Sequence, residues 1–389
     1  MKIGFVVTNV AVAPGWEKVV SAHVQLPIHT MQLMAKAGHE VQLITTSVGQ
    51  DQIMPPILPP ETIVHQLPGW VWKASSPPML AGRSEGHSFS GLIQLVHELV
   101  KIVRSERYDI LHFFGSNKIA ALAGLLSMFG IRTPRVLTYD LGIPRGMPRV
   151  TWFAKYTAWK QISAIVTSTE FMQNHLGAMG VRADLVRPGI GRNIREELNG
   201  EQVDQPKRVV YWRDPSIGNG ADICLQAYSR LAPQFPNISF DLAVRPHPNP
   251  VEGIDEIVHR FPNVHVARFP YSNGMSIAKL LAESVCVLLP FRGLIVHPQF
   301  AILESMRAGC AVVTTAVGST TELIESGRNG YLVPVGDIEA TISAVKGLLI
   351  DRSRAVTIGN QAAADICAKW KWPEYALKIA RIYSRALRM

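Results

Sequence analysis

The sequence predicts an α/β protein built from two Rossmann-like domains that face each other across a cleft. The chain has 389 residues, roughly twice the usual size of one domain. Apolar runs typical of strands alternate along it with amphipathic helical stretches, and this alternation specifies parallel sheets with right-handed crossovers. Because ligands bind beyond the carboxyl ends of the strands in open α/β sheets, the cleft is the predicted active site.

The apolar runs define predicted strands in both halves. In the first half they are KIGFVVT, EVQLITT, DILHFF, RVLTYD and AIVTST. In the second half they are RVVYWR, SFDLAV, VHVARF, VCVLLP and CAVVTT. Periodicity fades over residues 186–208, where Gly, Pro and charged residues take over, so we predict domains at 1–190 and 191–373. After Pro373, an apolar face predicts a helix at 374–389 that packs against the first domain.

The composition excludes several classes of protein. The chain is 47% hydrophobic and 18% charged, which is typical of a globular protein. Cys224, Cys286, Cys310 and Cys367 have no paired spacing, which indicates reduced thiols in a cytoplasmic protein. The longest apolar stretch, 119–131, is too short to span a bilayer. The net charge of +9 favours anionic partners, but it is dispersed and no nucleic-acid motif accompanies it, so we expect no nucleic-acid binding.

Glu304 is a single carboxylate in an otherwise apolar predicted helix. Pro298 suits the first helical position and Gly309 suits the residue past the end, so the helix is predicted over 298–308. The open backbone N–H groups of its N-terminus would form an anion site. These groups belong to Gln299, Phe300 and Ala301. Glu304 would lie roughly 9 Å further along, about the distance from the diphosphate of a nucleotide to its ribose hydroxyls.

Two alternatives concern the acids of this region. A solvated position on a surface helix is the alternative for Glu304. Glu322 follows a strand, Gly318 and Ser319, and it either contacts a ligand or completes a capping box with Ser319.

The segments around Glu304 resemble a known family. CVLLP, from Cys286, and HPQFAILESMRAGCAVVTTAVGSTTELIESGRNGYLVPVGD are similar to the donor-binding signature of family-4 retaining glycosyltransferases with the GT-B fold. AKAGHEVQLIT, YDILHFFG, AIVTSTEFMQNHL and the Trp-containing segment before the last helix match in order. The resemblance implies retaining sugar transfer from a nucleotide-diphosphate donor in the second domain to an acceptor hydroxyl in the first. It implies glycoconjugate or polysaccharide biosynthesis with no cofactor and no metal.

The resemblance also implies roles for donor-site residues. In that family a Glu at the position of Glu304 holds the ribose, and an Arg at the position of Arg213 binds the donor phosphates, which makes Arg213 a candidate catalytic residue. Arg268 is a further candidate near the base or the phosphates, with a solvent-facing position as the alternative. The other candidate donor contacts are Gln299, Phe300, Ala301, Gly318, Ser319 and Glu322.

The chain departs from the family pattern. The Glu that the family has near the transferred sugar falls at Val296, and the expected phosphate-binding Lys falls at Asn219. The His of the first domain falls at Asp140, a second candidate catalytic residue. These departures keep another interpretation open, a degenerate GT-B protein that binds a sugar nucleotide or a partner without catalysis. A sugar-nucleotide epimerase or a phosphorylase is a further alternative.

The first domain carries the candidate acceptor side. Gly15, Gly115 and Ser116 are the candidate residues, and a glycan or a lipid-linked molecule is the expected acceptor. Residues 145–160 interleave basic and aromatic side chains without an acid, a mixture that favours an interfacial helix on an anionic membrane. The alternative is an ordinary core face, because the aromatic residues recur at helical spacing. We therefore expect a cytoplasmic protein with peripheral membrane association.

Overall fold

The computed structural model describes residues 1–7, 10, 22–46, 58–67, 89–115, 117–140, 159–190, 207–269, 271, 276–294 and 296–389. The chain divides into two compact units. The first comprises Met1–Pro188 and Trp372–Met389, and the second comprises Gly189–Lys371.

The first unit contains a parallel sheet. Its described strands are β1 (Lys2–Val7), β2 (Glu40–Thr46), β3 (Ile63–Leu67), β4 (Ile110–Phe114), β5 (Arg135–Thr138), β6 (Ala164–Thr167) and β7 (Asp184–Leu185). They lie in the order β3-β2-β1-β4-β5-β6-β7, and every pairing is parallel. The strands β4, β5 and β6 are buried along their whole length, as expected of a sheet that helices cover on both faces.

The helices of the first unit connect these strands. They are α1 (Ala22–Lys36), α2 (Phe89–Glu106), α3 (Asn117–Leu125) and α4 (Glu170–Ala178), with a 3₁₀ turn at Leu126–Phe129. Thr169 caps α4, because its side chain accepts the Met172 N–H. Two core clusters of this unit lie on the two faces of its sheet.

The second unit repeats the same architecture. Its strands are β8 (Arg208–Tyr211), β9 (Ser239–Val244), β10 (Val264–Arg268), β11 (Ser284–Leu289), β12 (Ala311–Thr315) and β13 (Tyr331–Val333), in the order β10-β9-β8-β11-β12-β13. Its helices are α5 (Ala221–Leu231), α6 (Ile254–Arg260), α7 (Ile277–Ala282), α8 (Phe300–Arg307), α9 (Thr320–Leu323), α10 (Ile338–Ile350) and α11 (Arg352–Lys369), with a 3₁₀ turn at Ala232–Gln234. All pairings are parallel. The predicted α/β class with two Rossmann-like domains is confirmed.

The last helix, α12 (Trp372–Ala386), packs on the sheet of the first unit. Its buried Tyr375 hydroxyl lies 2.8 Å from Thr30 Oγ1, and its buried Tyr383 hydroxyl lies 2.7 Å from His112 Nδ1. The helix begins at Trp372 and not after Pro373 as predicted. A proline is accommodated in the first helical turn because the N–H groups there have no intrahelical acceptor.

The sequence analysis missed the short strands β3, β7 and β13. They lie at or next to the sheet edges, and their residues are mostly half-buried or exposed. Such strands lack the continuous apolar run of a central strand, so the pattern does not reveal them. Among the described helices, none combines the length and the apolar character needed to cross a membrane.

Candidate functional site

The carboxyl edge of the second sheet gathers the chemistry-bearing side chains of that unit. Because its strands are parallel, the loops that follow them leave from the same edge. Arg213 follows β8 and Arg245 follows β9, while His297 and Gly318 lie in the loops after β11 and β12. These neighbouring loops form one candidate ligand site.

Arg213 is half-buried at the centre of this edge. Its Nε is buried and has no hydrogen-bond partner within the described part of the chain. Burial lowers the pKa of Arg213, and the charge of Arg245 acts in the same direction, whereas Asp214 and Glu304 raise it. An arginine stays protonated under such influences. The charge of Glu304 thus acts on Arg213, so these two predicted donor residues belong to the same region of the second unit.

A buried hydrogen bond fixes the end of β8 against α8. Trp212 Nε1 donates to Ser305 Oγ over 3.0 Å, and Ser305 Oγ donates to the Ala301 carbonyl over 2.7 Å. Ser305 is the neighbour of Glu304, so this bond ties the backbone that carries Arg213 to the helix that carries Glu304. The spacing of the two charged side chains therefore depends on packed groups and not on solvated loops.

The helix α8 begins two residues later than predicted. Gln299 is its N-cap residue, with extended backbone angles of φ −77° and ψ 106°, so Pro298 lies outside the helix. The first intrahelical hydrogen bonds run from the Ile302 and Leu303 N–H groups to the Gln299 carbonyl, over 3.0 and 3.2 Å. The preceding N–H groups, those of Phe300 and Ala301, are the ones that a helix N-terminus offers to an anion.

The other end of α8 agrees with the prediction. Ala308 is the C-cap residue, and Gly309 follows with φ 79°, the left-handed conformation that glycine adopts at this position. Glu304 lies within the helix and is half-buried. It is therefore not a fully solvated residue, and its charge acts on the Arg213 guanidinium.

A histidine that the sequence analysis missed connects two loops of the site. His297 is buried, and its Nδ1 lies 2.9 Å from Ser319 Oγ. Gly318 has φ +55°, and a Cβ at this position would lie 2.5 Å from His297 Cε1. Glycine at position 318 thus permits the close contact. The sequence does show a histidine between a predicted strand and a predicted helix, but no rule of residue spacing predicts that it contacts Ser319.

The capping box proposed for Ser319 and Glu322 does not form. Ser319 is the N-cap residue of α9, but its side chain makes no capping hydrogen bond. Its φ and ψ of −76° and 0° are not the extended angles of a capping serine, and its hydroxyl contacts His297 instead. The short helix is held by Thr320 Oγ1, which donates to the Thr315 carbonyl over 2.7 Å.

Two further arginines lie at or just beyond the ends of β9 and β10. Arg268, at the end of β10, forms an ion pair with Asp255 over 2.5 Å, and its side chain is 52% exposed. This position agrees with the solvent-facing alternative. Arg245 is half-buried, and it donates a hydrogen bond to the Tyr271 hydroxyl. Sequence analysis missed Arg245, because Arg213 was identified through the family resemblance, which gave no role to an arginine at position 245.

In the first unit, Asp140 is tied to the neighbouring loop. Its Oδ1 accepts the Ser168 backbone N–H over 2.8 Å, and its Oδ2 accepts the Ser168 hydroxyl over 2.7 Å. Burial raises the pKa of Asp140 to about 7, although the bonds from Ser168 act in the opposite direction. Both carboxylate oxygens thus have partners within the unit.

The candidate acceptor residues are described in part. Gly115 has φ +147° and donates its N–H to the Thr138 carbonyl over 3.1 Å, and a Cβ there would lie 2.8 Å from Ile119 Cγ1. Gly15 and Ser116 lie outside the described residues, as do residues 145–158 of the predicted membrane segment. Trp159, at the end of that segment, is buried and packs edge-on against Tyr139, with ring centroids 5.2 Å apart.

Comparison with family models gives matches in both units. Residues 29–188 match the model described as "Glycosyl transferase 4-like domain". Residues 209–351 match the model described as "Glycosyl transferases group 1". The two matched regions together cover most of the chain, and the second contains Arg213, Arg245 and Glu304.

Known proteins are similar to this chain in sequence or in fold. A "GDP-mannose-dependent alpha-(1-6)-phosphatidylinositol monomannoside mannosyltransferase" of Mycobacterium tuberculosis is 33% identical over 78 residues, which are 20% of this chain and 20% of that protein. The sucrose-phosphate synthase of Thermosynechococcus elongatus superposes with a TM-score of 0.77 at 16% identity, over 100% of this chain and 99% of that one. Anabaena HepE in complex with UDP-glucose superposes with a TM-score of 0.69 at 18% identity, over 99% of both chains. The two structural matches concern the fold.

Proposed function

This chain belongs to the family-4-like glycosyltransferases with the GT-B fold, and we propose that it transfers a sugar from a nucleotide-diphosphate-sugar donor to an acceptor hydroxyl with retention of configuration. One observation carries the proposal. A buried hydrogen bond ties the backbone that carries Arg213 to α8, the helix that carries Glu304 and whose N-terminus has open N–H groups. A cation, open N–H groups and a carboxylate are the groups that a nucleoside diphosphate requires.

Each group of the site has a part of the donor to bind. The Arg213 guanidinium can bind two phosphate oxygens at once, and the N–H groups of Phe300 and Ala301 supply further donors beside it. The Glu304 carboxylate accepts hydrogen bonds from the two ribose hydroxyls, since an ionised carboxylate only accepts. The half-buried position of both charged groups strengthens these contacts relative to the same contacts in water.

The proposed reaction proceeds on one face of the sugar. The bond between the anomeric carbon and the phosphate oxygen breaks, and its electron pair stays on the phosphate. The acceptor hydroxyl attacks the anomeric carbon from the same face, and its proton passes to the departing phosphate oxygen. Negative charge grows on that phosphate in the transition state, so Arg213 binds the transition state more strongly than the ground state. No metal ion is required for this step.

The substrate classes are proposed from the relatives. The mannosyltransferase relative is named for GDP-mannose and a phosphatidylinositol mannoside, and HepE binds UDP-glucose. We therefore propose a nucleotide-linked hexose as the donor and a glycan or a lipid-linked molecule as the acceptor. A lipid-linked acceptor is consistent with the positive net charge, which favours an anionic membrane surface.

The second candidate function is binding without catalysis. Asn219 takes the place of the expected lysine, and its amide donates to Asp214 over 3.4 Å. The carboxylate of Asp140 is bonded on both oxygens to Ser168. A site that lacks the family's lysine and first glutamate would still bind a nucleotide, so activity has to be measured directly.

The test is a transfer assay on the purified full chain. UDP-, GDP- and ADP-hexoses are supplied with and without glycan or lipid-linked acceptors, and the released nucleotide and the anomeric configuration of the product are measured. We expect acceptor-dependent release of one nucleotide and a product with the donor's configuration. A product of inverted configuration contradicts the retaining mechanism. Tight nucleotide binding without any transfer supports the second candidate.

A further inference from the structure

The arginines Arg213 and Arg245 leave the second sheet on adjacent strands. β8 and β9 pair in parallel, with Tyr211 opposite Leu242. Arg213 lies two residues beyond Tyr211, and Arg245 lies three residues beyond Leu242. Adjacent strands are about 4.8 Å apart. The two guanidinium groups therefore begin from neighbouring points at the edge where a ligand of this fold binds.

The two positive charges act on one another. The charge of Arg245 is among the influences that lower the pKa of Arg213, after burial, and both residues are half-buried. Two half-buried positive charges repel one another, and a ligand with more than one negative charge relieves the repulsion. Arg213 Nε also lacks a hydrogen-bond partner within the described part of the chain. The pair thus offers both charge and an unused donor to an anion.

Tyr271, which lies beyond β10, holds Arg245 in place. The Tyr271 hydroxyl accepts a hydrogen bond from Arg245, and burial raises the pKa of Tyr271 although the Arg245 charge opposes this. Tyr271 in turn packs edge-on against Phe269, with ring centroids 5.3 Å apart. Arg245 is thus supported on the β10 side of the edge, whereas Arg268 is turned to Asp255 and solvent.

We propose that Arg245 is a second phosphate-binding residue of the donor site and that it supplies, from the end of β9, the cation that is absent at position 219. Asn219 is neutral and donates to Asp214. Arg245 and Arg213 together would hold the two phosphates of a nucleoside diphosphate, with Tyr271 as the positioning residue of Arg245. This inference rests on the proposed function, since it assigns a residue to the same donor site.

The test compares ligands with and without phosphate. Binding of UDP, GDP and ADP to the full chain is measured by calorimetry, and the tightest of these nucleotides is then compared with its monophosphate, its nucleoside and inorganic pyrophosphate. We expect Arg245→Gln to weaken the diphosphate about 10- to 100-fold, as for a lost charged hydrogen bond, and to leave the nucleoside unchanged. Arg245→Lys should lose less affinity for the diphosphate than Arg245→Gln does. Tyr271→Phe should also lose less affinity than Arg245→Gln, and its loss should be confined to the diphosphate.

The matched control is Arg260→Gln. Arg260 lies on α6, is exposed and stacks on Phe261. Because α6 and Arg245 both belong to the connection between β9 and β10, this variant removes an equal charge from the same connection without changing the site. Circular dichroism and thermal melts establish that each variant is folded. If the wild type binds a nucleoside diphosphate and Arg245→Gln binds it equally well, the assignment of Arg245 is wrong while the proposed function stands. An equal loss for the nucleoside also overturns it. A wild type that binds neither nucleotide nor pyrophosphate overturns both proposals.

Discussion

The two units are built on parallel sheets with the same central strand order, but they use their polar side chains differently. In the first unit, Asp140 and His112 are each bonded to partners of the same unit. In the second unit, Arg213 Nε is buried and has no hydrogen-bond partner within the described part of the chain, and the charge of Arg245 acts on it. Arg135 Nε of the first unit is in the same position, but Arg135 Nη1 donates to the Ala123 carbonyl and to Ser127 Oγ over 3.3 and 2.7 Å. Polar groups that satisfy one another stabilise a fold, whereas a charge that its surroundings leave unsatisfied points to a ligand. The contrast supports the proposed donor site in the second unit.

Replacement of Arg213 should have the largest effect. Arg213→Ala removes a cation whose contact strengthens as charge grows on the departing phosphate, so we expect turnover to fall about 100- to 1,000-fold, with a smaller loss of donor affinity. Steady-state kinetics with the donor found in the transfer assay measures both quantities. Equal activity in Arg213→Ala and the wild type would exclude this role, and Arg230→Ala, on the exposed side of α5, is the control for loss of charge.

Replacement of Glu304 tests binding rather than turnover. Glu304→Ala removes the acceptor of two ribose hydroxyl hydrogen bonds, which is worth about 1.5–3 kcal/mol of donor affinity. Calorimetry should show this loss for ribonucleotides and a smaller loss for the 2′-deoxynucleotide, which already lacks one hydroxyl. An unchanged affinity in the folded variant means that Glu304 does not hold the ribose.

Replacement of Tyr383 should affect stability in the first unit. Tyr383→Phe leaves the buried His112 Nδ1 without the hydroxyl at 2.7 Å, which should cost about 2 kcal/mol of unfolding free energy. Urea unfolding measures this loss. Nucleotide affinity should not change, and a variant as stable as the wild type would show that this contact does not anchor α12.

Asp140 should make the stability of the first unit depend on pH. Burial raises the pKa of Asp140 from 3.8 to about 7, so between these values the folded state binds more protons than the unfolded state. The unfolding free energy should therefore fall as pH rises through this window, by at most about 1.4 kcal/mol per pH unit from this group. Urea unfolding at a series of pH values measures the slope.

The matched variant for this slope is Asp140→Asn, which does not titrate and should flatten the profile in the same window. An identical slope in the variant and the wild type would mean that Asp140 is ionised in the folded protein at low pH. That outcome would contradict the raised pKa of Asp140, although the hydrogen bonds from Ser168 would remain.

The sequence predicted the central strands well and the site in part. β2 and β9 have the predicted bounds because their apolar residues form continuous buried runs. The start of α8 was wrong because Gln299 adopts an extended N-cap conformation that periodicity does not reveal. Glu304 was found as a single carboxylate in an apolar helix, and Arg213 was found through the family resemblance. Arg245 and His297 lie in loops, where their partners Tyr271 and Ser319 are set by tertiary structure.

Nucleotide binding by four matched proteins tests the central claim most directly. Calorimetry with UDP, GDP and ADP is carried out on the wild type, on Arg213→Gln, on Glu304→Gln and on Tyr383→Phe. We predict that one nucleoside diphosphate binds the wild type and Tyr383→Phe equally and that both second-unit variants bind it at least about tenfold more weakly, the loss expected for a charged hydrogen bond. Equal affinity in all four proteins, or no nucleotide binding by the wild type, would contradict the assignment of the donor site to the carboxyl edge of the second sheet.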